Sequence, residues 1–397
     1  MVKVGEEFVR TEVQFIPAKL KVIDHYRETY ECRSCRKNGT PYMEKAPVPY
    51  PPVLHSLASA STITWLIHQK FELSIPLYRQ EKEWEALGLR LSRATMSNWL
   101  LVVYRDWLVH IVHRLKLELL KQRYLHIDET HVQVLKEPGR KNTSDSYMWV
   151  YCSIRDAVNP IRYFEYQPGR SGKYPEAFLR EYEGYIHTDA YSGYNAVSGV
   201  KRCLCYTHLR RAFVDALPKD IHNSEASKPA EAILRLNQLF NIESELEAFP
   251  PDQKKKERLI REKPLLEAFW SWAEKSAIGE LPKSKLSKAF HYALNNREGF
   301  WNYLEDGNCS ISNSLAENCI RPFVIGRKNW LFSGSPKGAE ASAGIYTLVE
   351  TAKANGLAPM KYIKYILSDM PGSAFLEHPE YLDDYLPWNP LVKEFCR

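Results

Sequence analysis

At Tyr124 the hydrophobic period of the chain switches from helical spacing to alternation, and the order of elements from that point most restricts the fold. Before it, from about residue 55 to 122, apolar residues recur every three or four positions with few glycines, as packed helices require. After it, Tyr124 to Leu135, Tyr147 to Ser153 and Ile161 to Tyr166 alternate as strands between polar, Gly- or Pro-containing turns. A helix around Pro175 to Tyr182 follows, then short strands at Tyr185 to Thr188 and Arg202 to Tyr206, then a helix from His208 to Leu217. Three meandering strands followed by alternating helix and strand predict an α/β domain.

That order is the one a ribonuclease-H-like core would use, and it is expected over residues 123–217 and again over 306–356. Between them, residues 218–305 are helical and charged without strand signals, which predicts an all-helical insertion anchored by Trp270, Trp272 and Trp301. The closing part holds a long helix from about Ala339 to Ala354, ended by Asn355-Gly356. A C-terminal helix near Met360 to Leu367 and an acidic, proline-punctuated tail fill 357–397. At the other end, residues 1–52 carry Cys32-Arg33-Ser34-Cys35 and close in a proline-rich linker from Ala46 to Pro52. Within the helical region 53–122, Gly88 falls in a turn between two helical runs, and Ser92 caps the second. This spacing predicts a helix-turn-helix that presents Arg93, Thr95 and Asn98 outward, a pattern that serves DNA reading and plain helix packing equally well.

Several classes of function are excluded early. No apolar run approaches the roughly 18 residues of a membrane span, and the N-terminal residues lack a signal-peptide core, so a cytoplasmic protein without a membrane role is expected. The eight cysteines are too dispersed for a secreted disulfide framework. The net charge of +6 favours a polyanionic partner only weakly, but Arg and Lys collect at 33–37, 210–211, 254–256 and 321–328.

The chemistry begins with two acids in apolar strands: Asp128 in Leu125-His126-Ile127-Asp128-Glu129-Thr130 and Asp189 in Ile186-His187-Thr188-Asp189-Ala190. A carboxylate on a core strand is costly unless it is hydrogen-bonded, paired or bound to a metal. Either one alone also fits a turn-capping role. Two on neighbouring strands would repel, each raising the other's pKa, unless divalent cations neutralised them.

The chain resembles the IS66 family of insertion-sequence transposases, members of the DDE group. The matching segments run from Ile16-Pro17-Ala18-Lys19 to Leu386-Pro387-Trp388-Asn389-Pro390. The most specific is Asn313-Ser314-Leu315-Ala316-Glu317-Asn318-Cys319-Ile320-Arg321-Pro322, continuing through Gly326-Arg327-Lys328-Asn329-Trp330. Asp189-Ala190-Tyr191-Ser192-Gly193-Tyr194 and Glu350-Thr351-Ala352-Lys353-Ala354-Asn355-Gly356 also match. The resemblance implies that Asp128, Asp189 and Glu317 form the catalytic, metal-binding triad for two Mg²⁺ ions, with Mn²⁺ as substitute. It implies cleavage at element ends, strand transfer into target DNA, homo-oligomeric assembly on DNA and accessory proteins of the same element.

Neighbouring residues gain expected roles from charge and spacing. Arg321 lies one turn beyond Glu317, placed to pair with it or to hold phosphate, and Pro322 would end or kink that helix. Arg327, Lys328 and Trp330 suit a DNA backbone and a splayed base, although Trp330 fits a packed core equally. Cys205-Tyr206-Thr207-His208 matches a Cys-x-x-His element placed after the second aspartate in such transposases, and His208, with Arg210, is expected to contact DNA or brace the site. Family members begin with two Cys-x-x-Cys pairs, whereas this chain has only Cys32 and Cys35, half of a tetrahedral zinc site. A chain shortened at its N-terminus, or a decayed ribbon, is expected. Two other readings stay open: a truncated, non-catalytic DNA-binding inhibitor, and a ribonuclease-H-like nuclease without strand transfer.

Overall fold

A computed structural model describes residues 2, 4–16, 18–218 and 227–397; Pro17 and residues 219–226 of the expected helical stretch lie outside the described residues. The first regular structure is a small ribbon, β1 (Thr29–Glu31), α1 (Arg33–Lys37) and β2 (Met43–Lys45), with β1 and β2 antiparallel. The proline-rich stretch after it forms neither helix nor strand, and Trp107 Nε1 anchors this linker by donating to Pro52 O at 2.8 Å.

Helices α2 (Ala60–Ile67), α3 (Leu77–Ala86), α4 (Arg93–Val103) and α5 (Val109–Leu120) follow. The turn chemistry is as the sequence requires. Gly88 adopts φ +90°, and the Ser92 hydroxyl accepts the Thr95 N–H at 3.1 Å as N-cap of α4. Arg93 and Asn98 are exposed, while Met96, Trp99 and Leu100 are buried.

The main sheet contains β3 (Tyr124–Val134), β4 (Asp145–Ser153), β5 (Arg162–Gln167), β6 (Gly184–Thr188) and β7 (Val200–Leu204), with α6 (Lys173–Phe178) between β5 and β6. Its order is β5-β4-β3-β6-β7: the meander β3-β4-β5 is antiparallel, and β6 and β7 add parallel to β3. The α/β expectation therefore holds, with a mixed sheet. The last strand departs from the sequence reading: β7 starts and stops two residues earlier than expected, and α7 (Tyr206–Val214) begins at once. Cys205 ends the strand and becomes the N-cap, a switch that alternation alone does not mark.

From residue 227 to the next sheet element the regular structure is all helical: α8 (Lys228–Glu245), α9 (Pro251–Glu257), α10 (Lys263–Ala277), α11 (Lys285–Asn295), α12 (Arg297–Trp301) and α13 (Ser314–Trp330). Trp270 is fully buried among them, with Trp272 and Trp301 partly buried. The core of α8, α10, α11 and α12 is continuous with Cys203 and Leu204 of β7 and with Leu209 and Phe213 of α7, so these helices cover the sheet edge at β7.

The chain then returns through β8 (Phe332–Ser333), which pairs with the far end of β3, to α14 (Pro336–Ala354), α15 (Pro359–Asp369) and α16 (Pro390–Cys396). Helix α13 does not stop at Pro322; it runs on to Trp330, because Phe323 and Gly326 beyond the proline are buried against the main core. Helix α14 packs on β5 with eleven buried residues. At Gly344 a Cβ would lie 2.1 Å from the Tyr104 ring, so only glycine allows that approach. Gly356 at φ +70° ends the helix where expected.

Candidate active site

Strand register brings the two aspartates together. In the parallel β3–β6 pair, His126 lies opposite His187, and Asp128 and Asp189 each stand two residues further along. Side chains on a strand alternate, so each aspartate shares a face with its histidine. The histidine rings stack across the strands with centroids 4.2 Å apart and planes within 11°, which identifies that face.

The histidines also fix the entry of α13. His126 Nδ1 donates to Asn313 Oδ1 at 3.0 Å, and Asn313 Nδ2 donates to Ile127 O at 2.8 Å. His187 Nδ1 donates to Leu125 O at 3.1 Å, while its Nε2 accepts the Ser310 N–H at 2.9 Å. Burial, reinforced by the neighbouring His187, holds the His126 pKa well below its ordinary value, so the ring is neutral. Asn313 is the N-cap of α13, and Glu317 stands in the first turn of that helix. A buried amide that binds β3 thus sets where Glu317 points.

Asp128 feels the charge of both other carboxylates. Burial above all, helped by the charges of Glu129, Asp189 and Glu317 and opposed by one backbone hydrogen bond from Glu129 N, pushes the Asp128 carboxyl up to about 7. Asp189 Oδ1 accepts the Tyr191 N–H at 2.9 Å. Glu317 Oε1 is buried without a hydrogen-bond partner.

Cationic relief is sparse. Arg170 pairs with Glu129 at 2.6 Å and stands 3.9 Å from Asp189. Its guanidinium lies 4.0 Å from the centre of the Tyr191 ring, whose hydroxyl donates to Arg170 O at 2.6 Å. Tyr194 also donates to Glu129. Arg202 Nη2 donates to the carbonyls of Asp189 and Tyr191 at 2.6 and 2.8 Å, which holds the loop after β6. Sequence reasoning missed Glu129, Arg170, Tyr194 and Arg202 as members of this neighbourhood. The repeated tyrosines of the Asp189 motif were the available signal.

His208 faces the same site. Its Nδ1 lies 3.7 Å from Glu317 Oε1, and Cys205 completes a group whose candidate ligand atoms lie within 4.8 Å of one another. The Cys205 thiol raises His208, against a lowering by burial, and Glu317 and Asp189 add to the rise.

The other sequence candidates are more dispersed. Arg321 is exposed, and its side chain makes no hydrogen bond or ion pair among the described residues. Arg327 Nη1 is occupied by β3, donating to Thr130 Oγ1 at 2.9 Å and to His131 O. Lys328 is exposed beside it, and both line a surface pocket of about 400 Å³ with His131, Gln133, Thr143 and Asp145. Trp330 takes the packing role: it is half-buried, edge-on to Phe323 at 5.3 Å, with Lys70 Nζ 5.3 Å from its ring. Arg210 Nε donates to Asn237 Oδ1 at 2.8 Å and faces α8. Cys32 is the N-cap of α1 and Cys35 lies within that helix, where hydrogen bonds from Cys35 and Ser34 hold the Cys32 thiol below its ordinary value. No third metal-ligating side chain joins them among the described residues. A zinc ion would find only half of its tetrahedral ligands there.

Fold and site together define an α/β protein with an acidic cluster where the parallel pairing of β3 and β6 ends. The sequence comparisons give the particular family. Residues 55–341 match the model of the transposase IS66 family, and residues 1–36 match that of the zinc-finger binding domain of transposase IS66. The chain belongs to the IS66 transposase family. Among its relatives are three proteins of Sinorhizobium fredii (strain NBRC 101917 / NGR234), each described as uncharacterized. The chain is 26% identical to y4hP over 97% of its own length and 71% of the relative's. For y4jD the figures are 26%, 95% and 74%, and for y4qI 27%, 98% and 72%. No helix among the described residues is long and apolar enough to cross a membrane.

Proposed function

We propose that this chain is a DDE transposase that cuts DNA at the ends of an insertion element and joins the freed 3′-hydroxyl to target DNA. Asp128, Asp189 and Glu317 are its catalytic carboxylates, set in a ribonuclease-H-like core (123–217 and 306–356) interrupted by the helical insertion 218–305. The observation that carries this reading is the β3–β6 register, which places two acids at equivalent positions while α13 brings a third within range of their charge.

The donor set fits hard divalent cations. It is all oxygen, burial and neighbouring negative charge raise the Asp128 pKa to about 7, and Glu317 Oε1 is left without a partner. Bound Mg²⁺ would neutralise the cluster, activate the attacking water or 3′-hydroxyl and stabilise the leaving oxygen. Asp128 gives up its proton when such charge arrives, so occupancy rises with pH. Arg170 and Tyr194 absorb the Glu129 charge and keep that acid out of the ligand set. Asn313 fixes the approach of Glu317.

The remaining parts serve DNA. The helix-turn-helix of region 53–122 reads element ends through Arg93 and Asn98, the N-terminal segment 1–52 assists, and Lys328 and Arg321 offer charge to phosphates. Region 357–397 braces the core. The protein acts in the cytoplasm as a homo-oligomer on paired ends, with accessory proteins of its element.

A strand-transfer assay with Mg²⁺ and the DNA ends of the flanking element tests this. Joined product is expected. Binding without any cleavage would favour an inhibitor, and hydrolysis without joining would favour a nuclease.

A further inference from the structure

Beside the carboxylate cluster lies a second set of donors with different chemistry. Cys205 closes β7 and caps α7, His208 stands in the first turn of α7, and Glu317 stands in the first turn of α13. The Cys205 sulfur, a His208 ring nitrogen and a Glu317 oxygen all lie within 4.8 Å of one another. His208 Nδ1 and Glu317 Oε1, 3.7 Å apart, are both buried atoms without a hydrogen-bond partner. Ligand atoms around a tetrahedral ion with bonds of about 2.0–2.3 Å stand roughly 3.5 Å apart, so a small contraction would suffice.

The same backbone group sets both helix starts. The Asn313 N–H donates to Cys205 Sγ at 3.1 Å, so the N-cap of α13 is tied to the N-cap of α7. The sulfur and the carboxylate are therefore held together whether or not an ion is present.

A second group, His187, Cys203 and Cys309, is as close and fully buried. There the imidazole has nothing left to offer, because Nδ1 is used on Leu125 O and the Nε2 lone pair on the Ser310 N–H. The orphaned nitrogen and oxygen single out the first group.

We propose that Cys205, His208 and Glu317 form a site for a thiophilic divalent cation of the zinc class, distinct in chemistry from the all-oxygen cluster but sharing Glu317 with it. Sulfur and imidazole select Zn²⁺, Co²⁺ or Cd²⁺ over Mg²⁺, and three protein ligands leave a fourth position open. An ion there draws Glu317 away from Asp128 and Asp189, so micromolar zinc would inhibit the enzyme that magnesium activates. That consequence rests on the transposase reading; the site itself does not.

The test is Co²⁺ titration of the full chain carrying Cys32→Ser and Cys35→Ser, metal-stripped and kept reduced, read by absorption. A thiolate-to-cobalt charge-transfer band with tetrahedral d–d bands is expected, displaced by Zn²⁺ and untouched by excess Mg²⁺. Cys205→Ser should abolish the charge-transfer band. His208→Ala, at a partly exposed position, should weaken Co²⁺ binding by at least about 100-fold, the upper range for loss of a mere outer-shell partner. No band, a band that survives in both variants, or displacement by Mg²⁺ would each overturn the site. Because the readout involves no DNA, an absent band with intact strand transfer removes the site alone. A band without strand transfer removes the transposase reading alone.

Discussion

Replacing Asp128 by Asn should stabilise the metal-free protein. The carboxyl is raised from 3.8 to about 7 by burial and by three neighbouring acids. At ~1.4 kcal/mol per pH unit, its ionised form costs the folded state about 4 kcal/mol. An unfolded chain releases this proton near the ordinary carboxyl value, the folded chain only near neutrality. Between those two values the folded state holds more protons, so stability falls as pH rises and levels off above about 7. Asn has the same shape, carries no charge and can still accept the Glu129 N–H. Urea unfolding of both proteins in EDTA, from about pH 5 to 8, isolates the effect, since other perturbed acids are common to the two. Near pH 5, about one unit above the unfolded value, the variant should be more stable by roughly 1.6 kcal/mol; near pH 8 the difference should reach about 4 kcal/mol. Added Mg²⁺ should stabilise the wild type at the higher pH and leave the variant unchanged. Parallel curves, or a variant less stable near pH 8, would refute the electrostatic account of the site.

Other substitutions probe separate links. Arg170→Ala strips Glu129, whose side chain is 1% exposed, of its ion pair. With the arginine itself 40% exposed, a loss of about 2 kcal/mol is expected at neutral pH, shrinking as acid protonates Glu129; a pH-independent loss would count against it. Gly344→Ala forces a methyl group against the Tyr104 ring and should cost about 1–3 kcal/mol in urea unfolding, and wild-type stability would show that the contact gives way. Arg93→Ala should weaken binding to element ends and lower the slope of log K against log salt by about 1, whereas an unchanged slope would remove α4 from the interface.

Much of the architecture was legible because period and burial agree. The strands β3, β4 and β5 alternate or run apolar where they lie in the sheet, and turn residues such as Gly88, Ser92 and Gly356 do what their backbone chemistry dictates. The failures have physical causes. Cys205 ends a strand and caps a helix without a polar side-chain signal, which shifted β7 and α7. Of the two outcomes expected at Pro322, an end or a kink of α13, the end does not occur, because burial of the residues beyond it carries the helix through. At the site, Asp128 and Asp189 showed as costly acids in apolar strands, whereas Glu317 needed the surrounding motif to be noticed. Arg170 was hidden because its partner Glu129 is 41 residues away, and such a pairing is visible only after folding.

The central claim is that three carboxylates act as one catalytic unit, and the most direct test is cleavage of element-end DNA by Asp128→Asn, Asp189→Asn and Glu317→Gln beside the wild type. Each variant is expected to bind DNA as the wild type does and to give no Mg²⁺-dependent product. Substantial cleavage by any one of them, with DNA binding intact, would contradict the account.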